Sequence, residues 1–94
     1  MTYLHNMKTE RVRKHINDLI SEGLKQMSNP ALDDDMFKIW LDYSKQVLEI
    51  STKDYNAAIL LNYLRLIMSI DSQLPPTQKI GICLDYLIGV LRII

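Results

Sequence analysis

Ninety-four residues, 48% of them hydrophobic, supply material for one core and not for two. Eleven basic and 11 acidic side chains cancel to a net charge of zero, which excludes the basic face that nucleic-acid binding needs and any strong pull toward an anionic bilayer. The single cysteine, Cys83, excludes an internal disulfide and suits a reducing compartment.

The opening stretch MTYLHNMKTERVRKH has no apolar h-region and no small-residue cleavage site, so no signal peptide is expected. No apolar run reaches the roughly 20 residues that span a bilayer. Residues 80–94 come closest and are interrupted by Asp85 and Arg92. The expected location is cytoplasmic, with the inner face of the membrane as the place of any membrane contact. Charge is uneven along the chain: residues 1–50 carry 15 of the 22 charged side chains.

Three turn signals, SNPALDDD, ISTKD and DSQLPP, divide the chain into four pieces. The first piece, about 9–27, sets Val12, Ile16, Leu19, Ile20, Gly23, Leu24 and Met27 on one helical stripe. Residues 1–8 extend or fray this helix. Asn29 followed by Pro30 predicts the next helix start, with Asn29 as cap and Pro30 at the first helical position. Asp33, Asp34 and Asp35 then fall in the first turn, where negative charge meets the positive end of the dipole. This second helix, about 31–50, shows an apolar stripe of Met36, Ile39, Trp40, Tyr43, Val47 and Ile50.

Ser51 or Thr52 is the expected cap of a third helix over about 53–70. Its apolar residues surround it from Ala57 to Met68, which predicts burial on most sides. A fourth helix, about 76–93, starts near Pro76 or Thr77 and carries Ile80, Cys83, Leu84, Leu87, Ile88, Leu91 and Ile94 on its stripe. Four helices with short joints predict an all-α, antiparallel (up-down-up-down) four-helix bundle, one domain over 1–94.

Motifs for phosphate, dinucleotide, serine-hydrolase or zinc-protease chemistry are absent from the sequence. No catalytic residue, cofactor or metal is therefore assigned. His5 and His15 could in principle form a metal pair, but each reads more simply as a solvated or helix-edge side chain. Arg11 precedes His15 by four without the polar pocket a helical ribonuclease would need. Cys83 sits on an apolar stripe and reads as a small core hydrophobe. The aspartate run 33–35 lacks the glycine and the later glutamate of a calcium loop. Trp40, Tyr43 and Tyr63 read as core packing, with a ligand cavity among them as the sharper alternative. One feature asks for more: the last two helices hold more apolar surface than two amphipathic helices easily cover, and exposed apolar surface marks a partner.

The stretch AILLNYLRLIMSIDSQLPPTQKIGICLDYLIG, residues 58–89, resembles the pediocin-like (class IIa) bacteriocin immunity proteins. The shared features are a third helix of the form L-x-N-Y-[LI], here Leu60 to Leu64, and a short joint, here Leu74, Pro75, Pro76 and Thr77. A late run of leucine, [IL] and glycine follows, here Leu84, Leu87, Ile88 and Gly89. The front half is similar in its spacing and in its Asn-Pro break. The resemblance implies a cytosolic four-helix bundle that protects a cell from a pore-forming peptide, with no chemistry of its own. It implies binding, from the cytosolic side, to a mannose phosphotransferase permease that has engaged the peptide. The chain departs from the family in being neutral where many relatives are basic, and in lacking a polar stretch after the fourth helix. The expected contact surface is the third–fourth helix hairpin, with Arg65, Asp71, Ser72, Gln73, Leu74, Pro75, Thr77, Gln78, Lys79 and Arg92 as exposed candidates. A small homodimeric adaptor or antitoxin-like interaction protein is the alternative reading.

Overall fold

A computed structural model describes the backbone of residues 2–94 and the side chains of residues 8–94. His5, half of the histidine pair considered above, lies outside the described side chains. The described chain forms helices α1 (Thr2–Met27), α2 (Asp34–Thr52), α3 (Ala57–Ser69) and α4 (Pro76–Ile93). Each packs antiparallel to the next, and α4 returns to lie along α1, so the helices close into an up-down-up-down four-helix bundle. The bundle measures 46 × 23 × 20 Å.

The helix starts show how local chemistry sets the boundaries. Asn29 is not the cap of α2. Its Oδ1 accepts from the Ala31 amide at 2.9 Å, and Pro30 and Ala31 become the middle of a turn closed by Leu32 N–H to Asn29 O. The cap is Asp33, whose Oδ1 accepts from the Met36 amide at 2.8 Å, with Asp34 and Asp35 in the first turn. Ser51 and Thr52 do not cap α3 either. Their hydroxyls donate back to the carbonyls of Val47 and Leu48, which keeps both residues in α2. Asn56 takes the role instead, accepting from the Ala58 amide at 3.1 Å. Pro76 opens α4 at its first turn, as its missing N–H allows.

The core is built from Val12, Ile16 and Leu19 of α1, Phe37, Trp40, Leu41 and Leu48 of α2, Ile59 and Tyr63 of α3, and Ile80, Cys83, Leu84, Leu87 and Val90 of α4. Gly23 admits the closest approach: a Cβ there would stand 2.7 Å from Leu84 Cδ2 and 3.1 Å from Trp40 Cζ2. Arg13 ties the far end, donating from Nη1 to the Leu91 carbonyl at 3.0 Å.

Three expectations about faces are corrected. Leu24 and Met27 of the stripe expected on α1, and Ile88 of that on α4, are exposed. The stripe of α2 that enters the core is Phe37, Trp40, Leu41, Ser44, Leu48 and Thr52. Of the stripe expected from the sequence, only Trp40 belongs to it; Ile39, Tyr43 and Ile50 are exposed. The two small hydroxyl residues Ser44 and Thr52 disguise the true inner face, because their oxygens are satisfied locally and their bulk packs as a methyl group would. Helix α3 is not buried on most sides: only Ile59 and Tyr63 are buried, while Leu61 and Met68 are 55% and 86% exposed.

Candidate protein-binding surfaces

Exposed large hydrophobic side chains lie on both hairpins. The α1–α2 hairpin shows Leu24, Met27, Ile39, Tyr43 and Ile50; the α3–α4 hairpin shows Leu61, Met68, Ile88 and Ile93. The apolar excess expected for the last two helices is therefore present but shared with the first two.

A groove of about 550 Å³ runs between α1 and α2. Asp18, Glu22 and Gln26 recur every four residues along its α1 wall, and Met36, Ile39, Trp40 and Tyr43 form its α2 wall. Trp40 is 3% exposed and its Nε1 has no hydrogen-bond partner; the Oε1 of Gln26, on the opposite wall, has none either. A buried N–H and a buried carbonyl oxygen left unpaired each carry a desolvation cost that a bound donor or acceptor would relieve. The groove thus combines an apolar floor, carboxylates on one rim and two unsatisfied polar atoms.

Nearer the start of α1 a smaller cleft of about 210 Å³ is lined by Lys8, Arg11 and His15 of α1, Ile50 of α2, and Asp54 and Tyr55 of the α2–α3 connection. Its His15 is half-buried with Nδ1 unpaired. No group of three or more His, Cys, Asp or Glu side chains suited to a metal ion occurs among the described residues.

The surface expected from the sequence is only partly assembled. Asp71, Ser72, Gln73, Pro75, Thr77 and Gln78 are exposed together on the α3–α4 connection, with Leu74 half-buried beneath them. That connection is ordered by Asp71, whose Oδ1 accepts from the Gln73 amide at 2.9 Å and whose carbonyl accepts from Leu74 N–H at 3.2 Å. Arg65 is exposed about one turn before the end of α3. Lys79 does not belong to the surface: it is 7% exposed, its Nζ meets Asp34 Oδ1 at 3.2 Å and lies 5.6 Å from the Phe37 ring centre. Its aliphatic stem is buried between α2 and α4 while the ammonium finds a carboxylate at the edge. Arg92 is exposed but at the other end of α4, about 22 Å from Thr77 at the helical rise.

The aromatic residues also divide. Trp40 and Tyr43 line the groove, whereas Tyr63 is fully buried elsewhere, its hydroxyl 2.7 Å from Ser44 Oγ. Ser44 Oγ donates to the Leu41 carbonyl, so the phenol of Tyr63 donates to Ser44. Tyr86 stacks on Tyr63 with ring centres 5.5 Å apart and donates to the Ile59 carbonyl at 2.6 Å. Burial pushes the Cys83 thiol up to about 11. Burial raises both phenols too. These groups are held neutral, as a closed polar knot in the core.

The cavity offered as the sharper alternative among Trp40, Tyr43 and Tyr63 thus holds for Trp40 and Tyr43 only, and the preferred reading placed Ile39 and Tyr43 in the interior. The available signal was the second apolar face of α2, marked by Phe37, Leu41 and Leu48. No helix among the described residues is long and apolar enough to cross a membrane. Compared with models of protein families, with curated proteins and with solved structures, the chain matches none.

Proposed function

We propose that this chain acts by binding, as an immunity protein of the pediocin-like kind that protects a cell from a class IIa pore-forming peptide. In this reading it engages, from the cytoplasmic side, a mannose phosphotransferase permease already occupied by the peptide. The single observation that supports it is the exposed apolar surface of the α3–α4 hairpin, where Leu61, Met68, Ile88 and Ile93 lie outside the core. This is the part of the chain that carries the family resemblance, and such side chains gain free energy only when a partner covers them. The polar α3–α4 connection, Asp71 to Gln78, would supply the specific contacts at the tip.

The test is expression in a sensitive lactic-acid bacterium challenged with a broad panel of class IIa peptides. Survival against at least one peptide is expected, with loss of protection in Met68→Glu and co-purification of the permease only from peptide-treated cells. Unchanged killing by every peptide in the panel overturns the proposal.

A further inference from the structure

We infer that the α1–α2 groove binds a small organic amine, one that joins a protonated nitrogen to an apolar body and a hydrogen-bond acceptor. The observation that carries this is a pair of buried polar atoms left open beside two carboxylates. Trp40 is 3% exposed, lines the groove, and has no partner for its Nε1–H. The buried Oε1 of Gln26 has none either, so the two atoms do not bond one another. A Cβ at Gly23 would stand 3.1 Å from Trp40 Cζ2, so its absence lets the edge of the indole next to the nitrogen close on α1. Gln26 lies three residues further along that helix, on the same face. By contrast, the interior hydroxyls of Ser44, Thr52, Tyr63 and Tyr86 all find partners within the bundle. A buried donor and a buried acceptor left unmade carry a desolvation cost, and a ligand that meets both removes it.

Charge and shape select the ligand. Asp18 and Glu22 are the only charged side chains lining the groove. Asp18 forms no ion pair among the described residues, and Glu22 meets only Lys25 at 3.8 Å, in an exposed pair of little strength. These carboxylates favour a cation and repel an anion. An ammonium has three donors, and side chains four apart on a helix are neighbours, so one ammonium can serve Glu22 and the Gln26 oxygen together. The Trp40 N–H then requires an acceptor on the ligand. The opposite wall offers Met36, Ile39 and Tyr43 to an apolar body, with Ile39 71% and Tyr43 52% exposed. A volume of about 550 Å³ falls inside the roughly 300–1,000 Å³ of small-molecule sites. An α-amino amide with an apolar side chain carries all three features at once. The groove belongs to the α1–α2 hairpin and the surface invoked for immunity to the α3–α4 hairpin, so this inference does not rest on that reading.

The test uses the full chain, whose one tryptophan gives a single indole N–H resonance in a ¹H–¹⁵N spectrum. L-phenylalaninamide is titrated at about pH 6, below the ~7.7 of an α-amino group. Saturable binding is expected, with a Kd of about 1 mM or tighter, a downfield move of the indole N–H as it gains an acceptor, and weakening by added salt. Neutral N-acetyl-L-phenylalaninamide and zwitterionic L-phenylalanine should each bind about tenfold more weakly or worse. Asp18→Asn with Glu22→Gln, and separately Gln26→Leu, should lose about tenfold in affinity for the cation while keeping the far-UV circular dichroism of the unaltered protein. Met68→Glu, on the other hairpin, should bind as the unaltered protein does. An indole N–H that the cationic probe leaves in place, a neutral probe that binds as tightly as the cation, or undiminished binding in the carboxylate-neutralised variant overturns the inference. These readings come from purified protein, so they stand apart from the outcome of the peptide challenge.

Discussion

Alanine at Gly23 and alanine at Gly89 should shift stability in opposite directions, although both glycines sit inside helices. In a helix interior, glycine to alanine gains about 0.5–1 kcal/mol by removing backbone freedom from the unfolded chain. At Gly89 nothing lies within 4 Å of the added methyl group, so that gain is expected in full. At Gly81 the nearest atom is Met27 Cε at 3.9 Å, an ordinary contact with a flexible side chain, and the sign is the same. At Gly23 the methyl group would stand 2.7 Å from Leu84 Cδ2, 3.4 Å from Leu84 Cγ and 3.1 Å from the Trp40 ring. Leu84 and Trp40 are each 3% exposed, so neither has room to swing away without disturbing the core. Overpacking of this kind costs about 1–3 kcal/mol. The difference leaves Gly23→Ala destabilised by about 1 kcal/mol, a fall in Tm of about 4–8 °C for a domain of this size. Urea and thermal denaturation followed by circular dichroism measure all three variants. A Gly23→Ala protein as stable as Gly89→Ala would refute the close α1–α4–α2 packing described here.

Removing the Tyr63 hydroxyl in Tyr63→Phe should cost about 1 kcal/mol in urea denaturation, because Ser44 keeps its bond to Leu41 while losing the phenol. Cys83 and Tyr63 are both held neutral by burial, which sets the sign at high pH. The Cys83 contribution is complete below the unfolded thiol value near 9.0 and is lost as pH rises through the folded value of about 11, and Tyr63, raised further by burial, acts in the same direction at higher pH. Urea midpoints should therefore be lower at pH 10.5 than at pH 8, roughly, and Cys83→Ala should flatten part of that slope. The Cys83 thiol should also react with a disulfide reagent only on unfolding; immediate reaction of the native protein would contradict its burial. Asp33→Ala should cost about 1 kcal/mol through loss of the α2 cap, and Asn29→Ala clearly less. Equal losses would restore Asn29 as the helix start.

The helix count, the fold class and the stripes of α1 and α4 are legible in the sequence because each has one dominant apolar line with charge opposite it. Val12, Ile16 and Leu19, and likewise Ile80, Cys83, Leu84 and Leu87, are buried as their spacing predicts, whereas Leu24, Met27 and Ile88 of the same stripes are exposed. The starts of α2 and α3 are less legible because several cap residues compete. Asn29 and Asp33 both offer an acceptor ahead of α2, and only the fold shows that the aspartate receives the Met36 amide. Ser51 and Thr52 have the composition of a cap but bond backward. The candidate site was illegible for a different reason. It depends on which of two apolar faces of α2 meets α1, α3 and α4. Sequence periodicity gives the faces of a helix but not the ranking between them, when the inner one is interrupted by serine and threonine.

That ambiguity in α2 has a physical origin and a consequence. A helix in an antiparallel bundle needs one apolar arc toward its neighbours. Phe37, Trp40, Leu41 and Leu48 fill that arc without help from Ile39, Tyr43 or Ile50. Folding alone therefore leaves the second line of large apolar side chains in water, where each lowers solubility and gains nothing in stability. The α3–α4 hairpin repeats the situation with Leu61 and Met68, which α3 does not need to hold Ile59 and Tyr63 in place. The two exposed sets lie on different hairpins, so each can be covered without the other. In that arrangement a substitution on the α1–α2 ridge and a substitution at Met68 disturb separate contacts, with each leaving the other intact. A bundle whose two faces failed together under single substitutions would have one shared surface, and the separation drawn from the exposed side chains would not stand.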